Sequence, residues 1–80
     1  MPSEQELERR TANELAVLCQ VVANNPAIYS TEGADAALKL KLEWETLRES
    51  VNPGLREQYK LPAKRADLQK RMASFLSGVL

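Results

Sequence analysis

The sequence predicts an all-α fold, a small three-helix bundle with one short extra helix, and three observations carry that prediction. Ala37, Leu40, Trp44, Leu47 and Val51 recur at i, i+3, i+7, i+10 and i+14, one continuous helical stripe. Leu68, Met72, Phe75, Leu76 and Val79 form a second stripe at i, i+4, i+7, i+8 and i+11. Asn24-Asn25-Pro26, Asn52-Pro53-Gly54 and Leu61-Pro62 punctuate the chain at intervals suited to the short connections of a bundle. Residues 1–80 are expected to make a single helical domain.

The first helix opens at a capping box. Ser3 is followed by Glu6, so the serine oxygen can accept from a free backbone N–H while the glutamate reaches back to the serine. Glu4, Glu6 and Glu8 suit the positive end of the helix dipole. The helix is expected to run from about residue 4 to residue 24, where Asn24-Asn25-Pro26 stops it. Its first half is polar except for Leu7. From Leu15 to Ala23 it is apolar around most of its circumference, which predicts that this end is deeply buried, with Cys19 as a small core residue.

Pro26 to Gly33 reads as a connection that folds Ile28 and Tyr29 back onto the core. Ser30, Thr31 and Asp35 are the candidate N-caps of the second helix. Residues 38–45 alternate apolar and charged, the period of a strand. Their Ala, Leu, Lys and Glu content favours helix, and no second strand is in sight to pair with them. After that helix, Asn52 can cap and Pro53 suits the first position of a short helix carrying Leu55 and Tyr59. Leu61-Pro62 should break the chain again, because the residue before proline avoids helical angles, so the last helix is expected to start near Pro62. The centres of the stripes, Leu15, Leu18, Val22, Leu40, Trp44, Leu47, Leu68, Met72 and Phe75, are expected to share one core.

Leu55-Arg56-Glu57-Gln58-Tyr59-Lys60-Leu61-Pro62 resembles a segment of the theta subunit of bacterial DNA polymerase, another small helical protein. The similarity is confined to those residues, which are of common types.

Little in the chain is equipped for catalysis, and no enzyme activity, cofactor or small-molecule substrate is expected. There is no histidine, and the one cysteine can form no internal disulfide. A zinc site would need one thiolate and carboxylates alone. Cys19 has no base to activate it, and its apolar neighbours should raise its pKa. Gly33, Gly54 and Gly78 are scattered singly and cradle no phosphate. Acids at residues 4 to 8 stand where a signal peptide would be basic, and no apolar run is long enough to span a bilayer. One free thiol without an export signal points to the cytoplasm.

What the chain offers instead is a surface. At about 100° per residue, Leu38 and Leu42 fall opposite the main stripe of their helix, with Lys41 and Glu45 beside them. If the other helices all pack on the main stripe, these four residues are left for a partner. If the first helix covers one face and the last helix the other, the two leucines are buried. The leading expectation is a protein–protein interaction module, an accessory subunit, adaptor or inhibitor, docking on a partner or on its own copy as a homodimer. The alternative is a nucleic-acid-binding regulator. Residues 1–35 hold six acids and two bases, whereas 53–80 hold six bases and two acids, within a net charge of zero. Arg56, Lys60, Lys64, Arg65, Lys70 and Arg71 are the bases that would meet phosphate.

Overall fold

A computed structural model describes the backbone of residues 3–48 and 55–80 and the side chains of 3–48 and 61–80. The fold is all-α: α1 (Glu4–Glu8), α2 (Ala12–Ala23), α3 (Pro26–Tyr29), α4 (Thr31–Arg48) and α5 (Leu55–Val79), with no strand among the described residues. The alternating stretch 38–45 lies in the middle of α4. Its Leu, Lys and Glu residues decide in favour of the helix over the strand period.

The first helix is not continuous. Ser3 caps α1, its Oγ accepting from the Glu6 N–H at 3.2 Å. The chain then turns at Arg9 and Arg10, and Thr11 starts α2 from an extended conformation (φ −68°, ψ 157°). The Thr11 Oγ1 accepts from the Glu14 N–H at 3.2 Å, the same capping arrangement used a second time. The corner is tied to α5, where the Gln69 Nε2 donates to the Arg10 carbonyl at 2.7 Å. The break lets α1 fold onto α5 and seals Leu7 in the core.

Three further expectations are corrected. Pro62 does not open the last helix: α5 passes through it as one helix of 25 residues. Pro62 is exposed, so the N–H it lacks is missing on the side where water can reach the backbone. The short helix expected after Pro53 is therefore absorbed into α5, while Val51, the Asn52 cap and the Leu55 and Tyr59 side chains lie outside the described residues. The short element lies instead at Pro26–Tyr29, where Pro26 sits in the first turn and the Asn25 carbonyl accepts from the Ile28 and Tyr29 N–H groups. Only Tyr29 packs on the core; Ile28 is 73% exposed. Of the candidate caps, Ser30 is the one used: its Oγ accepts from the Gly33 N–H at 3.1 Å.

α3 links α2 and α4 as an antiparallel pair, and α5 packs on both. Trp44, near the end of α4, is buried, and its Nε1 donates to the Asn13 Oδ1 at the start of α2, 3.0 Å away. Ala16 and Ala37 let α2 and α4 approach closely. The core gathers Leu7, Leu15, Cys19 and Val22 with Ala37, Trp44, Leu68, Met72, Ala73 and Leu76. Leu18, Leu40, Leu47 and Phe75 are half-buried against it rather than sealed within it.

Candidate docking face

α2 and α4 form a two-helix layer, and α5 covers one side of it. On α2, the residues facing α5 are Leu15, Cys19 and Val22, spaced i, i+4, i+7. Val17 and Val21 fall on the opposite side of the same helix. On α4, Ala37, Leu40, Trp44 and Leu47 turn inward, and Leu38 and Leu42 face out. Val17 is 63% exposed, Val21 45%, Leu38 40% and Leu42 48%. Four of the five large apolar side chains exposed among the described residues therefore lie on the outer surfaces of α2 and α4, Val17 and Val21 beside the groove between those helices and Leu42 at the edge of the groove between α4 and α5. A predicted feature is overturned here: the apolar end of α2 is not deeply buried all round, because α4 and α5 cover two of its sides and leave the one carrying Val17 and Val21 open.

Lys41 and Glu45 lie between the two aliphatic ridges. They form an i, i+4 ion pair, Nζ to Oε1 at 2.9 Å. With Val17, Val21, Trp44 and Arg48 they line a shallow groove between α2 and α4. Both are partly covered, so their aliphatic stems add apolar area to the face while the charges close on each other. All four residues proposed from sequence, Leu38, Lys41, Leu42 and Glu45, thus lie on the outer side of α4. Val17 and Val21 complete the face. Their signal in the sequence was the excess of apolar residues around α2, which required some of them to end up outside.

The basic residues are not gathered in the same way. Lys64 and Arg71 lie on one flank of α5, beside a groove shared with Lys39, Leu42 and Glu43 of α4. Lys70 is turned about 100° from Arg71, and Arg65 about 100° from Lys64 in the other direction. The side chains of Arg56 and Lys60 lie outside the described residues. Arg71 is already engaged. Its Nη1 and Nη2 donate to the two Glu43 carboxylate oxygens at 3.2 and 3.3 Å, and its Nε donates to Asp67 at 3.1 Å. The hydrogen bond and charge of Glu43, with Asp67 adding to them, raise the guanidinium pKa further. The fork ties α4 to α5 instead of pointing to a phosphate.

Cys19 is fully buried, and burial pushes its thiol up to about 11, so it stays protonated at neutral pH. No group of His, Cys, Asp or Glu among the described residues is clustered to hold a metal ion, and no helix among them is long and apolar enough to cross a membrane. No protein-family model, curated protein or solved structure matches the chain.

Proposed function

We propose that this chain is a helical protein–protein interaction module that docks through the outer face of the α2–α4 layer and acts by tethering or occluding a partner. The observation that carries this reading is the exposure of Val17, Val21, Leu38 and Leu42 on the outer surfaces of α2 and α4, with the Lys41–Glu45 pair in the groove beside the two valines. A shallow groove with exposed aliphatic side chains beside a few charges that can orient a partner suits a docked helix, and exposed apolar patches mark interaction sites. A reducing cytoplasm suits a protein with one free, buried thiol.

The test is the double variant Leu38→Ser, Leu42→Ser. Both side chains are already about half in water, so the variant should keep its helical circular dichroism and cooperative melt while losing its associations. Those associations should also persist as salt is raised, because apolar docking releases few counterions. Binding through the α5 bases to phosphate would weaken steeply instead. A folded double variant that keeps every association of the parent would end the proposal.

A further inference from the structure

Resting on the docking-module reading, we infer that the occupant of the α2–α4 face is a second copy of this chain, with α4 lying antiparallel to its counterpart across a two-fold axis. Charge complementarity carries the inference. Lys41 and Glu45 occupy one flank of α4, the flank toward α2. When identical helices pack antiparallel about a two-fold axis, each flank meets the same flank of the other copy. An axis at the level of residue 43 then sets each Lys41 opposite the partner's Glu45. The same axis brings Leu42 beside the partner's Leu42, and Leu38 against the aliphatic stem of the partner's Arg48. A foreign protein would have to supply this charge pattern separately; a copy carries it already.

Size and net charge agree with this assignment. α4 has 18 residues and so is about 27 Å long, and neighbouring helices lie about 10 Å apart. The face therefore measures about 20–25 Å each way, roughly 400–600 Å² per partner, below the ~800 Å² of a standard stable interface and in the range of a weak dimer that forms only at high concentration. The formal net charge of the chain is zero, so two copies meet without overall repulsion at neutral pH.

Sedimentation of the full chain and of two charge variants tests the inference. The parent should pass from 9.0 kDa to twice that mass as its concentration rises into the high micromolar range. Lys41→Glu and Glu45→Lys should each sediment as folded monomers, because every cross-copy pair becomes like-charged. Mixed in equal amounts, the two variants should dimerise again, since glutamates at 41 and 45 in one chain then face lysines in the other. A parent that stays at 9.0 kDa, single variants that dimerise like the parent, or a mixture that stays monomeric would each overturn the second-copy assignment. Binding to other proteins tests the docking face independently of its occupant. If the parent is monomeric but Leu38→Ser, Leu42→Ser abolishes binding to another protein, the face is right and the occupant wrong. If the double variant changes no association at all, both fall.

Discussion

Ser30 joins α3 to α4 with φ 72° and ψ 160°, the one non-glycine residue of positive φ among the described residues. That region belongs almost wholly to glycine, and an L side chain held there costs about 1–3 kcal/mol. The serine offsets part of this cost by capping α4 through the Gly33 N–H, while its carbonyl accepts from the Ala34 N–H at 3.0 Å. Ser30→Ala removes the cap and keeps the strain, so it should lose ~1 kcal/mol. Ser30→Gly also loses the hydroxyl, but glycine at a cap costs only a few tenths of a kcal/mol and releases the strain. The glycine variant should therefore gain about 1–2 kcal/mol over the parent. In a domain of this size each kcal/mol moves the midpoint by about 4–8 °C, well within the reach of thermal unfolding followed by circular dichroism. All three proteins should be compared at one concentration, so that association contributes equally. A glycine variant melting below the parent would show that Ser30 carries no conformational strain.

Leu7→Ala should cost about 2–3 kcal/mol, the low end for a buried leucine, because α1 is short enough to lift away instead of leaving a cavity. A loss under ~0.5 kcal/mol in urea unfolding would mean that α1 is not docked on α5. Cys19 should ignore thiol reagents in the native state and also give the protein an alkaline weakness. Its native pKa of about 11 lies above the unfolded value, so the folded chain binds the proton more tightly. The associated stability is complete below the unfolded pKa and declines as pH rises from about 9 toward 11, by roughly 2–3 kcal/mol. The difference in pH dependence between the parent and Cys19→Ala isolates this contribution. Parallel curves would refute it.

The helical class and the inner stripes were legible because they depend on periodicity and residue type, which need no knowledge of tertiary arrangement. Trp44 and Cys19 sit where the stripes place them. The break before α2 was harder to see. Thr11 and Glu14 repeat the spacing of Ser3 and Glu6, but Arg9 and Arg10 propagate a helix well, and no proline or glycine marks the corner. Pro62 misled in the opposite direction. A local rule that disfavours helical angles before proline yielded to a helix anchored further on by Leu68, Met72 and Leu76. Ile28 and Tyr29 are neighbours on a single helical turn, about 100° apart, so a short helix that packs by one side can cover one and leave the other exposed. Which of the two turned outward depended on how α3 sits against α4, and that is a property of the packed molecule.

The outer face follows from the same packing. A layer of two helices has two sides, and the described chain supplies one long helix, α5, to cover one of them. Covering a leucine or valine fully is worth about 1.5–3 kcal/mol, and four such residues stand roughly half in water. The stabilisation left unrealised is thus of the same order as the ~3–5 kcal/mol that a core of this size yields. Whatever covers Val17, Val21, Leu38 and Leu42 therefore binds and stabilises through the same contacts, so docking and folding are linked by mass action. Arg71, clasped by Glu43 and Asp67, lines the groove between α4 and α5 that Leu42 borders. Those charges hold α4 against α5, while Val17 and Val21 stay exposed beside the groove between α2 and α4.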